Sequence, residues 1–144
     1  MSQSPVTVDQ LILRARVSQL LEEFFSRVDR AEPVADLLTE DSEFREAKGR
    51  TEVTELLLSL AKKRADTGRT SRHFSSNIAI DELADGRYRV RSLVVVLSLD
   101  TQPEARGELL AGDHDDIVEF DADGVCRFVK RTMVPAFRLG LAQD

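Results

Sequence analysis

Two hydrophobic periods divide this chain. Up to about residue 65 the apolar positions recur at three- and four-residue intervals, and after Gly68 they recur at every second residue. Thr7 with Gln10 three residues on forms a capping-box pattern. The stripe Leu11, Ile12, Ala15, Val17, Leu20, Leu21, Phe24, Phe25 and Val28 then predicts a helix over about 8–28. Pro33 stands where the first residue of a short second helix belongs, carrying Val34, Leu37 and Leu38. Ser42 to Ala47 suits a short strand. A third helix begins near Thr51, with Glu52 and Glu55 in its first turn and Lys62, Lys63 and Arg64 near its end, where the helix dipole favours those charges. Val53, Leu56, Leu57, Leu60 and Ala61 form its apolar face, and Gly68 marks its exit.

The second half reads as strands. Residues 70–83 and 87–99 are joined around Asp85-Gly86, a strong hairpin signal. A third strand covers about 108–120 and a fourth about 125–134, with a loop from Thr101 to Gly107 and a turn at Asp121-Ala122-Asp123-Gly124. Leu93 to Leu97 is apolar at every position, which predicts a central strand covered on both faces. Helices followed by an antiparallel meander define an α+β fold, here with three N-terminal helices on one face of a curved sheet and a pocket between the two layers. The expected boundaries are a disordered tail over 1–7, one domain over 8–138 and a tail over 139–144.

Composition narrows the function classes. At 144 residues with 42% hydrophobic residues, one core is expected. The net charge of −6 argues against nucleic acid as the main partner, because phosphate binding requires a basic surface. No run approaches a membrane span, and Met1 to Thr7 lacks the features of a signal peptide. Cys126 is the only cysteine, so no internal disulfide forms and a cytoplasmic setting is expected. It falls in period with Phe128 and Val134, as a packed thiol would. No glycine-rich phosphate loop, Gly-x-Ser-x-Gly or dinucleotide fingerprint is present, so no cofactor is called for.

The candidate chemistry gathers around Arg72-His73-Phe74-Ser75-Ser76-Asn77. Strict alternation places Phe74, Ser76, Ile78 and Ile80 on one face, and His73, Ser75, Asn77 and Ala79 on the other, more polar one. A histidine there suits the wall of a cavity and exchanges protons near neutral pH. Asp29 continues the Leu21, Phe25 spacing of the first helix and so faces the core, where a carboxylate needs a partner. Two readings stand: Asp29 caps the second helix ahead of Pro33, or it pairs with His73, orients the imidazole and suits it to act as a general base. His114, in Asp113-His114-Asp115-Asp116, lies either at a solvated strand end or at a pocket mouth, and two histidines are too few for a metal centre. Of Arg72, Arg89, Arg91, Arg127 and Arg131, most are expected to face solvent or pair with carboxylates. Arg131 is the expected inward one, sharing a face with Val125, Val129 and Met133 and available to a substrate oxygen.

Val28-Asp29-Arg30 at the end of the first helix and Ser71-Arg72-His73-Phe74 at the start of the sheet resemble the SnoaL-like family of the nuclear transport factor 2-like superfamily. So do Asn77, Arg89-Val90-Arg91-Ser92, Gly124-Val125-Cys126-Arg127-Phe128 and Lys130-Arg131-Thr132-Met133-Val134. The resemblance runs from about Leu11 to Pro135. It points to two branches: small cofactor-free enzymes such as scytalone dehydratase, bile-acid dehydratase and hexachlorocyclohexane dehydrochlorinase, and the mainly structural beta subunits of aromatic-ring-hydroxylating dioxygenases. It implies a cone-shaped fold and, for the enzyme branch, an Asp29–His73 pair that takes a proton from carbon or assists loss of a leaving group. Two positions depart from the pattern. The first-helix tyrosine of several dehydratases is replaced in the region of Phe24 and Phe25, and Cys126 stands where a tryptophan is usual.

The expected site therefore has Asp29 and His73 at the inner end of an apolar cavity lined by Phe24, Leu57, Leu60 and Val95, with His114 and Arg131 contributing polar contacts. Its expected occupant is a small hydrophobic molecule of steroid, terpenoid or polyketide type. A homodimer through the sheet faces is expected, because helices cover only one side of Leu93–Leu97. The alternative is a non-catalytic binding or assembly module of the beta-subunit kind.

Overall fold

The computed structural model describes residues 4–101 and 106–141. Helix α1 spans Val8–Asp29, with both halves of the Thr7/Gln10 capping box formed. Its buried stripe is Val17, Leu20, Leu21, Phe24, Phe25 and Val28, whereas Leu11, Ile12 and Ala15, expected on that stripe, are exposed. The first turns of α1 lie beside the ends of β3 and β4, where Arg14 donates to the Ile78 carbonyl and Leu13 packs on the core.

The expected second helix is not an α-helix. Residues Ala35–Leu37 form one 3₁₀ turn leading into strand β1, Leu38–Phe44, so the N-terminal half has two α-helices rather than three. Val34 and Leu38 are nonetheless buried, at each side of that turn. Three apolar residues within five positions, Val34, Leu37 and Leu38, suit a turn and strand entry as well as a helix. Strand β2 is Ala47–Lys48, and α2 runs Arg50–Asp66, burying Val53, Leu57 and Ala61.

Strands β3 Arg69–Glu82, β4 Tyr88–Asp100, β5 Gly107–Phe120 and β6 Cys126–Leu141 form an antiparallel meander. With β1 and β2 they make one curved six-stranded sheet in the order β2-β1-β6-β5-β4-β3, in which only the β1–β6 pair is parallel. β6 continues to Leu141, past residue 138 where a tail was expected to begin. Residues 1–3 and 142–144 of the expected tails, and 102–105 of the expected loop, lie outside the described residues. No described helix is long and apolar enough to cross a membrane.

Two irregularities decide what faces the helices. Asn77 adopts φ 53° and the β3–β4 register shifts between Ser76 and Ala79, the signature of a bulge. The alternation inverts there, so Ile78 and Ile80 fall on the same, helix-facing side as Ser71, His73 and Ser75, and Phe74 alone is left outward at 58% exposure. This corrects the strict alternation, which grouped Phe74 with Ile78 and Ile80. Asparagine tolerates the left-handed conformation better than most residues, which suits it to the bulge. In β6 the register shifts again between the Ile117–Lys130 and Val118–Phe128 pairs, leaving Val129 as the extra residue and bringing Phe128 onto the same face as Arg131. Beyond a third shift, Gly112 lies so close to β6 that a Cβ would meet the Val134 carbonyl oxygen at 2.5 Å, so only glycine fits.

Candidate active site

β3 is the free edge of the sheet, and an edge strand exposes backbone N–H groups without ladder partners. The last residue of α1 meets one of them. Asp29 Oδ2 accepts from the His73 backbone N–H at 3.0 Å, and Asp29 Oδ1 lies 2.6 Å from His73 Nδ1. A carboxylate only accepts, so Nδ1 carries the proton of this contact and Nε2 is the ring nitrogen that Asp29 leaves unengaged. Both side chains are nearly buried, at 13% and 10% exposure. Phe25 stacks on the imidazole at 5.0 Å between centroids, with ring planes 10° apart, fixing the plane that Asp29 orients. Of the two readings of Asp29, the one realised is the pairing with His73.

A second pair lies deeper. Arg131 donates to Asp116 through Nε at 3.2 Å and Nη2 at 2.9 Å, and neither side chain is more than 1% exposed. The guanidinium is ringed by Phe24, Phe25 and Phe128, with centroids 4.3, 5.0 and 4.2 Å from Cζ. Burial works against the Asp116 carboxylate, yet Arg131 and His114 outweigh it and hold its pKa below the ordinary value. Arg131 does point inward as expected. Its fork is spent on Asp116, and only Nη1 lacks a protein partner. His114 is buried, its Nδ1 3.5 Å from Asp116 Oδ1, too far for a good hydrogen bond. Burial first, and then the Arg131 charge, lower its pKa from 6.5, so the imidazole is neutral. The reading of Asp113 to Asp116 as a solvated strand end holds for exposed Asp113 and fails for His114 and Asp116.

These groups adjoin a cavity of about 90 Å³ between the helices and the sheet. Phe24, Leu57, Leu60, His73 and His114 line it, as expected, joined by Phe25, Val28, Phe44, Arg45, Arg64 and Met133. Val95 does not: it lies outward, opposite Phe74 on β3 and Ala111 on β5, on the face the helices leave bare. Asp29 stands behind His73 and lines a separate cleft of about 300 Å³. Arg131 lines a groove of about 480 Å³ that shares Phe44, Arg45 and Met133 with the cavity. The cavity alone is well below the roughly 300–1,000 Å³ of pockets that enclose drug-sized ligands. Without the groove it is too small for a steroid.

Asp116 escaped the sequence reading although its signal was there, since it alternates with His114 and the apolar Val118. Phe44, Arg45 and Arg64 gave no signal, because they meet the cavity only through tertiary packing. The remaining strand arginines behave as expected, with Arg89 on Asp115, Arg91 on Asp81 and Arg127 on Asp121. Burial pushes the Cys126 thiol up to about 12, as befits a packed residue. Among the described residues no group of three or more His, Cys, Asp or Glu is placed to hold a metal.

No family model matches the sequence, and no curated protein matches it. Solved structures do match in fold. A candidate scytalone dehydratase from Novosphingobium aromaticivorans DSM 12444 is 22% identical, with a TM-score of 0.74 over 93% of this chain and 91% of its own. The hexachlorocyclohexane dehydrochlorinase LinA-type3 from Novosphingobium barchaimii LL02 is 22% identical, with a TM-score of 0.73 over 95% of each chain. A candidate aromatic ring hydroxylase, also from N. aromaticivorans, is 17% identical, with a TM-score of 0.73 over 96% of each. At these identities the likeness is one of fold. It agrees with the α+β architecture that the family resemblance implies: the chain has the nuclear transport factor 2-like fold.

Proposed function

We propose that this chain binds a small, largely apolar molecule between helices and sheet and acts on it as a cofactor-independent lyase or isomerase, with His73 as general base. The observation that carries the proposal is the Asp29 carboxylate, which engages both the His73 backbone N–H and Nδ1 while His73 lines the cavity; the role of base falls on the other ring nitrogen, Nε2. A carbon-bound proton would pass to Nε2, and Asp29 would stabilise the imidazolium that forms. The dehydratase and dehydrochlorinase named among the fold neighbours support this class of reaction. His114 and the Arg131 Nη1 are the further polar groups for a substrate oxygen, with Phe24, Leu57 and Leu60 as the apolar wall.

The smallness of the cavity and the ring of phenyl groups around Arg131 favour a second reading, a non-catalytic binding or assembly domain in which the same pairs satisfy buried polarity. The fold, shared with proteins of differing names, does not choose between the two. Assembly fits either. Phe74, Leu99, Val134, Phe137 and Leu139 are 41–58% exposed on or beside the uncovered sheet face, and we assign them to a homodimer interface. The deciding experiment incubates the protein with a panel of hydrophobic ketones, alcohols and halides and follows product formation by mass spectrometry. Turnover lost in His73→Ala supports the enzyme reading; turnover unchanged in that variant overturns it. Binding without turnover across the panel supports the second reading.

A further inference from the structure

The cavity beside His73 carries two guanidinium groups and no carboxylate. Arg45 and Arg64 both line it, while the remaining lining residues are apolar or histidine. This inverts the balance of the whole chain, whose net charge is −6. Among the described residues neither arginine has a carboxylate within 4.0 Å; Arg14, Arg16, Arg50 and Arg72 share that feature, but none of those four lines the cavity.

Arg64 is held in place without being neutralised, and Arg45 is exposed at the rim. Arg64, in the last turn of α2, is half-buried and makes one long hydrogen bond, from Nη2 to the Val28 carbonyl at 3.3 Å. Burial lowers its pKa, opposed by the attraction of Asp29, whose two oxygens are already engaged by His73. A partly desolvated cation with donors to spare is costly unless an anion arrives. Arg45 lies in the β1–β2 turn at φ 54°, a conformation that turns ordinarily give to glycine or asparagine, so the turn itself does not favour arginine there. Its guanidinium rests 5.3 Å from the centroid of Phe44, another cavity residue. His114 is neutral and the Arg131 charge is matched by Asp116, so the positive field at the mouth comes from these two arginines.

We infer that the substrate is a carboxylate, its anionic end held by Arg45 and Arg64 at the mouth and its apolar body against Phe24, Leu57 and Leu60. This rests on the reading of the cavity as the substrate site. A carboxylate matches the planar guanidinium fork, and its small size suits a cavity of about 90 Å³. An anchored carboxylate also sets the neighbouring carbons toward His73 Nε2.

The test uses three probes with one phenyl body: phenylacetate, phenylacetamide and phenyl phosphate. Binding is measured by calorimetry, and occupancy of the cavity is read from the ring signals of His73 and His114 by NMR. Phenylacetate is expected to bind roughly tenfold tighter than phenylacetamide or better, to shift both histidine signals, and to weaken as salt is added. Arg64→Gln and Arg45→Gln should each weaken phenylacetate and leave phenylacetamide unchanged, which also shows that the variants fold, and Arg64→Lys should retain part of the preference. Equal affinity for the two probes, a preference that survives in the double Arg45→Gln/Arg64→Gln variant, or tighter binding of phenyl phosphate overturns the inference. If phenylacetamide shifts the histidine signals and phenylacetate binds no tighter, the arginine clamp falls and the site stands. If no probe shifts them, both fall.

Discussion

On the helix-covered face the sheet carries His73, Ser92, His114, Asp116 and Arg131 among its valines; on the bare face of the same strands it carries Phe74, Leu93, Val95, Leu97 and Leu139. A one-sided sheet ordinarily does the reverse, with apolar residues under the helices and polar ones toward water. Each departure has its own physical meaning. Under the helices two polar pairs form, Asp29–His73 and Asp116–Arg131, and several polar atoms remain without a protein partner, among them Ser75 Oγ, Ser92 Oγ, His114 Nδ1 and Arg131 Nη1. Burying such atoms costs free energy, and this supports the proposal that the site lies on the covered face. On the bare face Phe74, Leu99 and Leu139 are 41–58% exposed, which supports the proposed homodimer interface.

The largest expected effect tests the covered face. If His73 is the base, His73→Ala and Asp29→Asn each reduce turnover of a substrate by about 10²–10⁴-fold, while thermal unfolding shows the fold retained. Loss of turnover confined to His73→Ala would limit Asp29 to holding the edge of β3. The Asp116–Arg131 pair should govern stability instead. Arg131→Met strands a buried carboxylate and is expected to cost about 3–5 kcal/mol in urea unfolding, with Asp116→Asn similar. The double Asp116→Leu/Arg131→Met replacement should cost much less than the sum of single changes, because it removes both charges.

The bare face is tested by Val95→Glu. A charge between Phe74 and Ala111 should weaken self-association by at least about tenfold in sedimentation equilibrium without altering the cavity. A wild-type monomer at micromolar concentration would remove the interface, and a larger ring would favour the beta-subunit reading. The smallest effect is a single proton's linkage. The folded pKa of His114 lies below 6.5, so its stabilising contribution is complete above that pH and declines as pH falls below it, where the unfolded chain takes up the proton first. Asp116 adds a second decline only below 3.8, as pH falls through its folded pKa. Urea midpoints measured against pH should show the first decline in the wild type and lose it in His114→Gln.

The features legible without coordinates are local ones. The Thr7/Gln10 cap, the stripe of α1 from Val17 on, the Asp85-Gly86 hairpin and the change from helical to strand period near Gly68 all depend on residues within a few positions of one another. Each was legible, and so was the inward aim of His73; Arg131 also points inward, but the face it was grouped on, with Val125 and Val129, is broken by the bulge at Val129. Where local preference was weak, after Pro33, the reading chose a helix and the chain forms a 3₁₀ turn and a strand. Long-range packing is what brings Asp29 to a partner 44 residues away, gives the Arg131 fork to Asp116, and puts Arg45 and Arg64 on one cavity. It also decided the face of Ile78, Ile80 and Phe128. A single extra residue at Asn77 or Val129 turns every later side chain over, and whether a bulge forms is set by register with the neighbouring strand, a contact that no local pattern contains.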